Sequence, residues 1–157
     1  MNKIERMLQE LCPDGVEYKK LGEVCEIKTG KGVTKQEAVR CGIYPIISGG
    51  KDPMEYIDIY NREANTVTIS RVGAYAGYVN FICEKFYLND KCFSIIPNNG
   101  VILSCRYLYF ILKSKENFIM NLQSEGGVPT INTKKVGNIE IPVPPLPIQE
   151  EIVRILD

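Results

Sequence analysis

Apolar positions recur at helical spacing near both ends of the chain and in one internal stretch, and at strand spacing between them. Ile4, Met7, Leu8 and Leu11 fall at i, i+3, i+4 and i+7, which predicts an amphipathic helix. Asn2 is placed to cap it, and Glu5, three residues on, completes a capping box. The CPDG stretch, residues 12–15, then breaks the helix, because proline and Asp-Gly both favour a turn. The middle reads as strands: EVCEIK alternates, YPIIS is a short apolar run, and NTVTISR carries β-branched residues between turn signals. AGYVNFI and KCFSIIP follow at short intervals. Gly30, Gly32, Gly42, Gly49, Gly50, Gly73 and Gly77 punctuate the junctions. The pattern predicts a twisted mixed β-sheet with flanking helices, an α+β class, joined by numerous tight loops.

From Ser104, an N-cap candidate, CRYLYFILKSKENFIMNL lacks proline and glycine and predicts one internal helix that ends at EGG, residues 125–127. An extended piece, a helical turn at 133–136 and a last strand at 139–141 come next. Pro142, Pro144 and Pro145 hold the backbone extended, and Pro147 suits the first turn of a terminal helix. Ile148, Ile152, Val153, Ile155 and Leu156 form one apolar face of that helix. A helix of about ten residues is not stable alone, so it docks on this domain or begins something longer.

Composition narrows the chemistry. The chain of 157 residues suits one domain, and 45% hydrophobic with 24% charged residues describes an ordinary globular protein. Lys plus Arg equals Asp plus Glu at 19 each, so any anion-binding face must be local. Histidine is absent, which removes the commonest general base and metal ligand. The six cysteines show no CxxC and no metal spacing; several sit among apolar neighbours and are expected to be reduced and buried. No metal or cofactor is expected. MNKIERMLQEL is too charged for a signal core, and no apolar run approaches the ~18 residues of a membrane span, so a cytoplasmic protein without membrane contact is expected.

The blocks ELCPDGVEYKKLGEVCEIKTGKG, YPIISGGKDPMEYIDIYN, NTVTISRVGAYAGYVN, NDKCFSIIP, YLYFILK and GGVPTINTKKVGNIEIPVPPLPIQEEIVRILD, in this order, resemble type I restriction-modification specificity (S) subunits. The resemblance covers essentially the whole chain. It implies a target-recognition-domain fold over residues 1–146, with 147–157 as the beginning of a spacer helix. Such subunits carry two recognition domains, each reading half of a split DNA site, and paired antiparallel helices set the distance between the halves. The resemblance further implies a non-catalytic role, with double-stranded DNA, a methyltransferase subunit and an endonuclease/translocase subunit as partners. This chain departs from the full pattern by stopping where the spacer helix begins. A second recognition domain, or self-association through Ile148, Ile152, Ile155 and Leu156, would complete it. The residues agree on the chemistry: there is no Asn-Pro-Pro-Tyr/Phe tetrapeptide, no Walker GxxxxGK[ST] loop and no defensible nuclease cluster.

DNA binding needs cations for phosphates and a few polar side chains that reach base edges. KTGKGVTKQE offers Lys28, Lys31 and Lys35 around glycines that permit close backbone approach; the alternative is a solvated lysine turn. ISGGKDP offers Ser48 and Lys51 beside a backbone-amide nest for an anion, though the glycines themselves better suit a tight loop between strands and Lys51 is the stronger candidate. ISRVGAYAGY places Ser70 and Arg71 at a strand end and Tyr75 beyond Gly73. Arg71 is the first choice for base readout, against the alternative of a carboxylate partner. GGVPTINTKK brings Thr130, Lys134 and Lys135, with Asn132 or Thr133 as a helix cap. Tyr107, Tyr109 and Phe110 read as helix core. Two other classes stand beside DNA reading: a module that only docks a methyltransferase, and an enzyme whose glycine-rich loops hold a phosphorylated substrate. The second lacks a recognisable nucleophile or base.

Overall fold

The computed structural model describes residues 1–34, 36–38, 42–124 and 126–157. In chain order the elements are α1 (Lys3–Leu11), β1 (Tyr18–Lys20), α2 (Leu21–Val24), β2 (Cys25–Thr29), β3 (Tyr44–Ile47), β4 (Tyr56–Ile57), β5 (Thr66–Ser70), β6 (Val79–Ile82), β7 (Tyr87–Leu88), β8 (Cys92–Pro97), α3 (Cys105–Ser114), α4 (Glu116–Met120), α5 (Thr133–Gly137), β9 (Glu140–Pro142) and α6 (Leu146–Leu156). The α+β class holds, but the single mixed sheet is divided in three. An antiparallel sheet runs β2-β8-β5-β6, a mixed sheet runs β4-β3-β7 with β3 and β7 parallel, and β1 pairs with β9.

Every residue of β5 is buried, and its period of two separates two kinds of side chain. Val67 and Ile69, with Phe93 and Ile95 opposite them on β8, join Leu108 and Leu112 of α3 in the main core. Thr68 and Ser70 point the other way, opposite Ser94 and Cys92. On that side Cys92 and Ile82 pack with Ile47, Phe86 and Leu88 of the mixed-sheet layer. The polar atoms trapped there find partners: Arg62 donates from Nε to Ser94 Oγ (2.9 Å), from Nη1 to the Asn61 carbonyl (2.9 Å) and from Nη2 to the Thr29 carbonyl (3.1 Å). Burial lowers the Arg62 pKa from its ordinary value, and Glu26 acts against that shift.

The predicted internal helix starts as expected, with Ser104 Oγ accepting from the Tyr107 N–H (3.3 Å). It is broken at Lys115, whose φ of −102° and ψ of 12° leave the helical region. The break lets Glu116 accept from the Val79 N–H (2.9 Å) and from Lys113 Nζ (2.7 Å), while Lys113 also donates to the Val79 carbonyl (2.9 Å). Tyr107 is core, its hydroxyl donating to the Pro142 carbonyl (2.8 Å), and Tyr109 and Phe110 are half-buried. Val24, read above as strand, belongs to the short helix α2; β1, β4 and β7 are too short to leave a pattern. Cys25 and Cys92 are buried, Cys12 and Cys105 half-buried, and Cys83 exposed, against the expectation for its NFICE surroundings; Cys41 lies outside the described residues.

The terminal helix is fastened to the domain. Pro147 lies in its first turn, and Gln149 is completely buried. The Gln149 amide accepts from the Ser104 N–H (2.8 Å) and donates to the carbonyls of Ile102 (2.7 Å) and Pro144 (2.8 Å). Ile148 is in the core and Ile152 packs half-buried against it, which corrects their assignment to a partner-facing stripe. The i, i+4 spacing gives a helix face but not what covers it, and here the chain's own core does. Ile155 and Leu156 stay exposed. The Asn2–Glu5 capping box forms, but α1 fully buries no residue: Ile4, Met7 and Leu8 are half-covered and Leu11 is exposed. Glu151 ties the two ends together, pairing with Arg154 (2.6 Å) and with Lys3 of α1 (3.2 Å).

Gln149→Leu leaves a buried N–H and two carbonyls without partners, and should cost about 3 kcal/mol, read as a lower urea midpoint at unchanged slope. Arg154 chiefly, with Lys3, holds the Glu151 carboxyl at about 2, below its ordinary 4.5. A depressed folded-state pKa stabilises above the unfolded value and loses that contribution as pH falls through the folded one. The melting-temperature gap between the wild type and Glu151→Gln should therefore be full above pH 4.5 and close towards about 2.

Candidate nucleic-acid interface

Strand directions bring the glycine-rich loops to one end of the sandwich. β2 and β5 finish there, at Thr29 and Ser70, where β8 begins; the pairings are Thr29 with Phe93 and Ser70 with Cys92. β6 starts there as well, with Val79 opposite Ile69. In the mixed sheet Ile47 pairs with Leu88, and the Asn89 N–H donates to the Ile47 carbonyl (2.9 Å) just before the chain enters β8. A fifth segment joins through the Val72–Thr130 bridge, the Ile131 N–H on the Arg71 carbonyl (2.8 Å) and the Gly73 N–H on the Pro129 carbonyl (2.9 Å). Residues 30–34, 48–53, 71–78, 89–91 and 128–131 thus form one rim.

Two glycines make the packing possible. A methyl on Gly30 would lie 1.9 Å from the Leu88 carbonyl oxygen, and one on Gly49 would lie 2.7 Å from that of Val72. Backbone approaches backbone at both points, so the loops hold one another without long side chains. The Lys31 N–H donates to the Leu88 carbonyl (2.9 Å), and Asn61 grips Leu88 from the other side, Nδ2 to its carbonyl (3.1 Å) and Oδ1 from its N–H (2.6 Å). Asn89 Oδ1 accepts from the Lys91 N–H (3.2 Å) and shapes the last tight turn.

The predicted residues divide on this frame. Lys28 is exposed and 3.6 Å from Glu26; Lys31 and Lys51 are exposed and have no carboxylate within ion-pair distance among the described residues. Lys35 lies outside the described residues. Lys51 Nζ sits 5.2 Å from the Tyr75 ring centroid and 5.5 Å from that of Tyr78, a cation–π contact that joins two loops. Ser48 is half-buried and Tyr75 exposed on the rim. Arg71 has no carboxylate partner among the described residues: Nη1 donates to the Asp90 carbonyl (2.7 Å), and the guanidinium stands over Phe93 at 5.7 Å. Its Nε is buried with no partner among the described residues, so the end-on edge, with Nη2 and the second Nη1 proton, is what Arg71 can offer a ligand.

Ser70 is buried at 3% exposure opposite Cys92 and cannot meet a ligand, which corrects its place among the contact residues. The two-residue period of β5 turns Ser70 inward, one position before the chain leaves the strand. Thr130 is half-buried and shares a hydrogen bond with the Ser124 hydroxyl (2.8 Å). Asn132 caps α5, accepting from the Lys135 N–H (2.9 Å). Lys134 is exposed on α5, whereas Lys135 Nζ is anchored to the Leu122 carbonyl (3.1 Å). Sequence reasoning missed Asp90 and Lys91, both exposed on the rim, because β7 is only two residues long and Lys91 was read as the start of the strand KCFSIIP. Arg62 and Asn61, which brace the rim from inside, gave no sequence signal. Among the described residues no group of three or more Cys, Asp or Glu is placed to hold a metal ion, and no helix is long and apolar enough to cross a membrane.

A family model described as the type I restriction modification DNA specificity domain matches residues 13–157. A Mycoplasma pneumoniae protein named as a type I specificity subunit is 32% identical over 142 residues, covering 87% of this chain and 38% of its own. The type I restriction enzyme MjaVIII specificity subunit of Methanocaldococcus jannaschii is 29% identical over 154 residues, covering 92% and 36%. Among solved structures, a type I restriction-modification S subunit from M. genitalium superposes with a TM-score of 0.83 at 20% identity, over 91% of this chain and 39% of that one. An HsdS subunit from Thermoanaerobacter tengcongensis gives 0.71 at 23% identity, over 98% and 41%. The chain spans less than half the length of each of these relatives.

Gly30→Ala should push its loop off Leu88 and destabilise the domain by about 2 kcal/mol, within the range for overpacking. Gly50→Ala, where the nearest atom lies 3.9 Å from the added methyl, should stay within about 0.5 kcal/mol of wild type in the same urea titration.

Proposed function

Because the chain belongs to the type I restriction-modification DNA specificity family, we propose that its loop rim reads one half of a split duplex DNA site. The observation that carries this reading is the convergence of five loops on one rim, bearing Lys31, Lys51, Arg71 and Lys91 with no carboxylate paired to any of them among the described residues. A neutral chain with this edge has the local basic face that phosphates need. The lysines serve the phosphate backbone, and Arg71, held by the Asp90 carbonyl and Phe93, is rigid enough to contact a base.

On this reading the chain performs no chemistry and directs a methyltransferase subunit and an endonuclease/translocase subunit to the site. Residues 1–146 are the recognition domain, and residues 147–157 begin a spacer helix. Ile155 and Leu156, exposed on α6, are its first partner-facing positions, towards a second recognition domain or a second copy.

Selection of bound duplexes from a randomised pool at low salt should enrich one short motif, and absence of enrichment would sink the reading. Arg71→Ala should reduce the preference at one motif position about tenfold and leave the melting temperature near wild type. Lys31→Ala and Lys91→Ala should instead weaken binding to all sequences alike, each lowering the log–log salt slope by about 0.9 for a lost phosphate contact.

A further inference from the structure

Asp90 is one of two exposed carboxylates, with Asp52, on a rim that carries Lys31, Lys51, Arg71 and Lys91. Its turn does not depend on that carboxylate. Asn89 supplies the side-chain hydrogen bond, accepting from the Lys91 N–H, and it is the Asp90 backbone carbonyl that receives Arg71. Among the described residues the Asp90 carboxylate makes no hydrogen bond and no ion pair, although Lys91 adjoins it in the chain. It lies against the open backbone of Gly32, whose Cβ position is 3.2 Å from Oδ2. A carboxylate so placed repels phosphate, and its natural partners are the exocyclic amino groups, the hydrogen-bond donors of the major groove.

Resting on the reading of this rim as a half-site reader, we infer that Arg71 and Asp90 act together to read a single G·C base pair. The Arg71 Nη1 anchor, at 2.7 Å, is on the carbonyl of the same residue that bears the carboxylate, which ties the arginine to Asp90. Across the major groove a G·C pair presents two acceptors, N7 and O6, followed by one donor, the cytosine N4 amino group. Arginine spans the two acceptors and aspartate takes the donor. An A·T pair places its amino donor between its two acceptors, which splits the pair of sites that arginine needs. Lys31 on a neighbouring loop and Lys91 beside Asp90 on the same loop then hold the backbone, and the carboxylate faces the groove floor instead of a phosphate.

The experiment is the randomised-duplex selection run on the full chain as wild type, Arg71→Ala, Asp90→Ala, the double variant and Asp52→Ala. Asp52→Ala removes an equal charge from a neighbouring loop and controls for bulk electrostatics. The wild type should show one strict G·C column. Arg71→Ala and Asp90→Ala should each relax that same column about tenfold, with the others kept and the double variant losing little more. Asp52→Ala should leave it intact. Asp90 is exposed and its side chain unused in the fold, so its melting curve should match wild type and exclude misfolding as the cause. A wild-type motif that Asp90→Ala leaves unchanged, or two variants that relax different columns, overturns the pairing while the half-site reading stands. A wild type that selects no motif overturns both.

Discussion

Burial of β5 on both faces is the constraint around which the molecule is organised. A strand covered on one side can leave its alternate residues in water, but β5 cannot, so its threonine and serine must find partners inside. The aliphatic face meets helices, where dispersion and burial suffice. The hydroxyl-bearing face meets the mixed-sheet layer, and the guanidinium of Arg62 reaches across that interface to Ser94 and on to the end of β2. Sheet order, the position of the small mixed sheet and the clustering of five loops at one end all follow from closing both sides of one strand.

What was legible in the sequence were features fixed by nearest neighbours. The Asn2–Glu5 box, Ser104 as a cap and Pro147 in a first turn are decisions made within four residues and stand as read, and the cap left between Asn132 and Thr133 falls to Asn132. The rest is set by contacts between distant segments. The break at Lys115 depends on Val79, which lies 37 residues from the Glu116 that receives it. The inward turn of Ser70 depends on which face of β5 meets which layer. β4 and β7, two residues each, exist only because β3 lies between them. For the candidate site the same division holds: lysines and glycines were visible as local composition, whereas the NDK turn acquired meaning only once the strands placed it beside Arg71.

Two arginines show how context, not residue type, assigns a role. Arg62 and Arg71 flank the same strand, and neither has a carboxylate partner among the described residues. Arg62 has every nitrogen engaged with the chain itself and serves as internal scaffolding. Among the described residues Arg71 is hydrogen-bonded through Nη1 alone, which leaves its far edge open. A net charge of zero conceals this difference, because the arithmetic counts both arginines alike whatever each of them touches.

The Gln149 clamp can be considered as a mechanical bearing. A helix is a stiff rod rising about 1.5 Å per residue, so a rod of ~30 residues carries its far end about 45 Å from the root. A tilt of about 10° at the root would displace that end by roughly 8 Å, more than two base-pair steps of ~3.4 Å along a duplex. Three hydrogen bonds from one buried amide, grouped in the first turn, fix direction at the place where leverage is greatest. Where such a rod measures the gap between two sites, its calibration resides in the fulcrum more than along its shaft.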